Sequence, residues 1–132
     1  MNNAYEILPE SARVCITYQF HPTYEQWAAM MNRIFADPRF QPGFDFLFDK
    51  RQAGQAASTE YAESVARFYR QHSARMGRCA IVVDGPLAYG MSRVTEGYCP
   101  GGRLRVFVEI EEALAWLQSS DASPSPPSGQ SD

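Results

Sequence analysis

Phe44-Asp45-Phe46-Leu47-Phe48-Asp49 sets a phenylalanine on every second residue. Successive side chains of a β-strand leave on opposite faces. Phe44, Phe46 and Phe48 therefore share one face, and Asp45, Leu47 and Asp49 the other. A parallel strand roofed on both faces reads as an unbroken apolar run, which this one is not. The same alternation recurs upstream in residues 13–20, where Val14, Ile16, Tyr18 and Phe20 oppose Cys15, Thr17 and Gln19. It recurs downstream in residues 104–108. Alternation in three strands predicts a sheet covered by helices on one face and partly solvated on the other. Leu47 and Phe107 fall on the second face, so that face is a candidate surface for self-association into a homodimer.

The segments around these strands complete the pattern. Residues 5–8 are strand-like and reach residues 13–20 through Pro9-Glu10-Ser11, a turn signal that suits an antiparallel hairpin. Thr23 with Gln26 three residues on is a capping box, and Tyr24, Trp27, Ala28, Met31, Ile34 and Phe35 follow at helical spacing. Asp37-Pro38 ends that helix, because a residue before proline avoids the helical region. A loop over 50–57, containing Gly54, leads to a helix over about 59–75 with an inner stripe of Tyr61, Val65, Phe68 and His72. Gly77 serves as its stop. Residues 79–83 are a short apolar strand, the most central in character. Gly85-Pro86 opens a third helix with Leu87, Met91 and Val94 inward, and Pro100-Gly101-Gly102 is a turn. Residues 109–117 form a last helix burying Ile110, Ala113, Leu114 and Leu117, with Glu109, Glu111 and Glu112 at its positive end.

Parallel strands joined by helices take right-handed crossovers. The predicted fold is thus an α/β, two-layer β/α superhelix over residues 1–118. It has a five-stranded mixed sheet, an N-terminal antiparallel hairpin and four helices on one face. Residues 119–132, Ser-Ser-Asp-Ala-Ser-Pro-Ser-Pro-Pro-Ser-Gly-Gln-Ser-Asp, carry no large apolar side chain and are expected to be a disordered tail.

Composition removes several classes of function. The net charge is −3, and two of the acids, Asp121 and Asp132, lie in the tail. So small a field gives nucleic-acid binding no electrostatic support. Cys15, Cys79 and Cys99 are odd in number with no CxxC, and two of them sit in apolar strands, which argues against a disulfide framework or zinc site. The N-terminus shows no signal-peptide pattern and no apolar run is long enough for a bilayer, so a cytoplasmic location without integral membrane contact is expected. Neither metal nor cofactor is called for.

Candidate site residues cluster, in prediction, at the carboxyl ends of the strands, where open α/β sheets gather ligands. Tyr24, Asp49, Asp84 and Tyr89 would rim a shallow pocket there with Ser58. Ser58 or Thr59 can cap the second helix, and either is a candidate phosphoacceptor. A phosphate there would meet free backbone N–H groups, with Glu60 and Glu63 opposing it. Ser58, His21 and Asp49 could be assembled into a triad on paper, but no nucleophile elbow accompanies them, and no catalytic residue is assigned.

Three segments also carry a family likeness: residues 37–49, Leu87-Ala88-Tyr89-Gly90-Met91-Ser92-Arg93, and residues 106–117 ending in Ala-Trp-Leu. In order and spacing the chain resembles the SpoIIAA-like proteins, a bacterial group related in fold to STAS domains. The resemblance implies a β/α superhelical fold. The relatives include anti-sigma-factor antagonists and CRAL-TRIO lipid-binding domains. STAS antagonists carry a phosphorylated serine in an Asp-Ser-Ser-Gly setting, whereas Ala56-Ala57-Ser58-Thr59-Glu60-Tyr61 here lacks that motif. The functional expectation is a non-enzymatic regulatory or protein-interaction module. The alternative is a carrier or sensor of a small apolar or lipid-like ligand, bound between the first two helices and the sheet.

Overall fold

A computed structural model describes residues 3–53, 58–99 and 102–119. The chain forms β1 (Ala4–Leu8), β2 (Arg13–Thr17), α1 (Tyr24–Ala36), β3 (Phe44–Asp49), α2 (Thr59–Gln71), β4 (Met76–Val82), α3 (Pro86–Gly97), β5 (Leu104–Phe107) and α4 (Ile110–Gln118). The tail residues 120–132, Gly54 and the Pro100-Gly101 step lie outside the described residues.

The strands stand in chain order, β1-β2-β3-β4-β5. β1 pairs antiparallel with β2, and all later neighbours are parallel. A single 3-10 turn, Pro9–Ser11, reverses the chain between the first two. Ala12 completes the reversal in the left-handed region at φ 54°, its N–H donating to Pro9 O.

Strands added in order by right-handed crossovers put every crossover helix on the same face. The core obeys this. Val14, Ile16, Phe46, Phe48, Cys79, Ile81, Leu104 and Val106 meet Trp27, Met31 and Ile34 of α1 and Phe68 and Tyr69 of α2 in one cluster, with Ala88 and Tyr89 of α3 against it. Phe35, Phe68 and His72 stack on one another within it.

The fourth helix departs from the expected single helical face. Ala113 and Leu117 of α4 pack on Leu47, Ala80, Val82 and Phe107, which belong to the opposite face of the sheet. The crossover rule constrains only helices between parallel strands, and α4 follows the last one. It is free to take whichever face still exposes apolar surface. The sheet is therefore sandwiched over β3–β5 and single-roofed over β1–β2. Leu47 and Phe107, expected to be available for self-association, are 5% and 9% exposed beneath it. What remains open on that face is Ala4, Glu6 and Thr17, with half-buried Leu8, Arg13 and Cys15.

Two smaller differences have local causes. β4 begins at Met76 rather than residue 79, so Gly77 lies in a strand and does not stop a helix. A side chain at Gly77 would collide with the Gly43 carbonyl and the Asp45 carboxylate of β3, so glycine permits that close pairing. α3 is turned relative to its predicted stripe. Leu87 is 72% exposed, while Ser92 and Thr95 are buried. Ala88, Ser92 and Thr95 line its inner face, and small residues there let α3 lie close against α2.

Candidate functional site

At the carboxyl ends of β2 and β3 the ladder ends on two backbone bonds, Tyr18 N–H to Asp49 O (3.0 Å) and Lys50 N–H to Val82 O (2.8 Å). Two helices begin nearby. Gln26 N–H donates to Thr23 Oγ1 (3.1 Å) and Thr23 N–H to Gln26 Oε1 (2.9 Å), the predicted capping box of α1. Tyr61 N–H donates to Ser58 Oγ (3.1 Å), so Ser58 caps α2 and Thr59 is its first residue, exposed.

Between these two N-termini runs an open groove of about 400 Å³, with His21, Thr23 and Tyr24 on one wall and Ser58, Tyr61 and Ser64 on the other. Of the residues predicted to share a rim, it brings together Tyr24 and Ser58. The other three lie elsewhere. Asp49 projects with Leu47 toward the α4 face of the sheet. Its carboxylate is gripped by Arg51 through Nε (2.9 Å) and Nη2 (2.8 Å), which hold it below the usual carboxylate range. Asp84 is exposed beyond β4. Tyr89 lines a separate groove of about 630 Å³ with Pro86, Arg105, Phe107 and Glu112, and its hydroxyl accepts from Arg93 (3.3 Å).

The structure also gathers residues that sequence reasoning passed over. Lys50 Nζ stands 5.7 Å from the centroid of the Tyr18 ring and 5.8 Å from that of Tyr61. Burial lowers its pKa to about 8. His21 meets the Tyr61 ring edge-on at 4.6 Å. Its Nδ1 lies 3.1 Å from Pro22 O, and its Nε2 is buried without a partner. Desolvation, with the Lys50 charge adding to it, lowers the His21 pKa, and the Pro22 bond only partly offsets this. A composition signal was present: Lys50 is the chain's one lysine among twelve basic residues.

Behind Tyr61, under α2, lies a narrow cavity of about 30 Å³, lined at one end by Lys50, Tyr18 and Trp27 and further along by Val65, Tyr69, Ser92 and Thr95. Space of that size admits a water or two. Tyr69, 4% exposed, keeps its hydroxyl unpartnered. Cys79 and Cys99 are buried, and desolvation raises both thiols, Cys99 to about 11, which disfavours thiolate chemistry. Among the described residues no cluster of three or more His, Cys, Asp or Glu is placed to hold a metal ion. Among them, too, no helix is long and apolar enough to cross a membrane.

A protein-family model, SpoIIAA-like, matches residues 13–118. The chain belongs to the SpoIIAA-like family. Searches of curated proteins and of solved structures return no match. The SpoIIAA-like match begins at β2 and ends with α4, so it takes in the whole parallel sheet, all four helices and the groove between α1 and α2. β1 lies before it.

Proposed function

We propose that this SpoIIAA-like domain is a non-enzymatic regulatory module that binds another protein through the groove between the N-termini of α1 and α2. The groove itself carries the reading. It is wide and open, half-buried Tyr24 and Tyr61 line it beside hydroxyl groups, and two helix ends converge on it. Tyrosines flanked by hydroxyls are common at protein interfaces, because they add contact area at low entropy cost.

Two observations weigh against the other readings. Ser58, His21 and Asp49 form no triad: Ser58 caps a helix and Asp49 is paired to Arg51 on the far face. A lipid-like cargo needs a pocket of about 300 Å³ or more, and the interior leaves about 30 Å³.

Modification of Ser58 would tune the interface. A phosphate on its Oγ would displace the cap to Tyr61 N–H and set two negative charges at the groove, with Glu60 beside it. The test is photo-crosslinking in the native host. A photoreactive residue at position 64, in the groove, is compared with one at position 87, remote from it. A discrete heterologous adduct from 64 alone, lost in Tyr24→Ala, is the expected result. Adducts only to itself, or equal adducts from 87, would sink the reading.

A further inference from the structure

The sheet ends in two edges, β1 and β5, and among the described residues no strand pairs with the outer side of either. An edge strand offers a row of free N–H and C=O groups to another strand. The ladder identifies those groups on β5. Cys79 N–H donates to Arg103 O (2.8 Å) and Val83 N–H to Phe107 O (3.0 Å). Alternate residues of a strand turn their polar groups to opposite sides. Arg103, Arg105 and Phe107 therefore face β4, while Leu104 and Val106 present N–H and C=O outward, with Val108 next in step.

The two edges are not alike. On the other side of the sheet, Asp45 N–H to Ala12 O and Tyr18 N–H to Asp49 O turn the even residues of β2 toward β3. The odd residues of β2 then bond to Ala4, Glu6 and Leu8, so Tyr5 and Ile7 carry the outward groups of β1. A twofold pairing of β1 with Tyr5 opposite Ile7 would set Glu6 on its own image, and Pro9 offers no N–H to a longer overlap. β5 has neither device. Residues 104–108 hold no proline and no acid. Their one charge lies flat: the Arg105 guanidinium sits 5.4 Å from the Phe107 ring centroid and 5.5 Å from that of Trp116.

The groove of about 630 Å³ runs along this edge, because Arg105, Val106, Phe107 and Val108 all line it. Successive side chains leave on opposite faces, so four in a row share one groove only at the edge of a strand. Tyr89 of α3 and Glu112 of α4 stand on its two sides. It shares no residue with the groove between α1 and α2.

We propose that a second copy of this chain fills the edge groove, β5 pairing antiparallel with β5 about a twofold axis into one continuous sheet. Outward residues must meet outward residues, which leaves two registers with good overlap. One sets Leu104 opposite Val106 and puts Arg105 on its own image, where like charges repel. The other centres on Val106 opposite Val106, with Leu104 opposite Val108. It lays Arg105 beside Phe107 of the second copy, on the face that carries α4. Glu112 is in the first turn of α4, just after β5, so the antiparallel arrangement brings Glu112 of the second copy toward Arg105. Each copy thus offers a cation to the ring and carboxylate of the other, the self-complementarity that a closed twofold interface requires. Crowding does not forbid it on that face. α4 packs over β3, β4 and β5, so its middle lies near β4. With strands about 4.8 Å apart, the two α4 helices stand about 14 Å apart, beyond the usual helix packing distance. The sheet face that alternation offered for self-association is covered by α4, whereas the edge is open.

The test is sedimentation velocity of the full chain over a series of concentrations. Few residues pair, so the expected result is a monomer–dimer equilibrium that shifts with concentration. The Val106 amide should exchange with solvent more slowly as the dimer fills. Val108→Pro removes one outward N–H from each copy and leaves the β4 ladder intact, and it should weaken dimerisation about tenfold or more. Arg105→Glu should also weaken it by setting carboxylates together, and Arg105→Glu combined with Glu112→Arg should restore it. Circular dichroism checks that each variant folds. A monomer at every concentration would overturn the proposal, and slow exchange of the Val106 amide in such a monomer would give the groove to a different occupant. A dimer indifferent to both Val108→Pro and Arg105→Glu would overturn it as well, because its interface would lie elsewhere.

Discussion

Lys50 shows how one side chain can set a measurable property of the whole domain. Its amine titrates near 8 in the folded protein, below the usual 10.4 or so of an unfolded chain. Between those values the unfolded chain binds more protons, so this residue's contribution to stability rises as pH increases from about 8 to about 10. The raised tyrosines and cysteines act in the opposite sense in alkali, because they keep protons in the folded state that the unfolded chain releases. The difference between wild type and Lys50→Met isolates the lysine. At pH 7 we expect Lys50→Met to be more stable by roughly 1–3 kcal/mol, because the desolvation cost of the ammonium is gone. That advantage should shrink toward pH 10, as urea unfolding across the range would show. The residues around Lys50 were the least legible part of the sequence. Tyr61 is far in the chain from Tyr18 and His21, and no spacing rule connects it to them. Thr23 and Gln26 were legible, because a capping box is a local motif with a fixed interval.

The helix ends carry two further expectations. Ser58→Ala should destabilise the domain by about 1 kcal/mol through loss of the cap, whereas Ser58→Asp, itself a good cap, should be nearly neutral in a thermal melt. That pair separates capping from any effect of added charge on partner binding. At the other end of the chain, Arg78 holds the C-terminus of α4. Its guanidinium donates to the carbonyls of Trp116 (2.8 Å), Leu117 (3.2 Å) and Ser119 (2.8 Å) and sits 5.3 Å from the Trp116 ring centroid. These carbonyls are among the orphan acceptors every helix leaves. Arg78→Ala should cost about 2–3 kcal/mol in chemical denaturation, with a change in tryptophan fluorescence as Trp116 loosens. Arg78→Lys should recover only part, since a point charge cannot bridge three carbonyls as a fork does. The stripe of α3 was misread from its periodicity. Leu87, Met91 and Val94 have the right spacing, but so do Ala88, Ser92 and Thr95, and close packing against α2 selects the smaller set.

For the molecule as a whole, α4 makes the difference between an open sheet and a covered one. Leu47, Ala80, Val82 and Phe107 would form a contiguous apolar patch without it. Ala113 is fully buried against them. Ala113→Arg should lift the helix and expose the patch, so size-exclusion chromatography and native mass spectrometry should then report species larger than those of the wild type. A variant that stays in the wild-type oligomeric state with unchanged stability would show that α4 is not what covers this face.

Alternating strands, capped helices and their order along the chain are properties of short windows. A period of two or of 3.6 residues is visible without any partner. Handedness then extends that local reading to the strand order and to a common face for α1, α2 and α3, because each crossover is held at both ends. Nothing of that kind binds α4, nor the rotation of α3, nor the meeting of Lys50 with Tyr18, His21 and Tyr61. These depend on which surfaces are left over once the sheet has formed, and only packing in three dimensions selects among them.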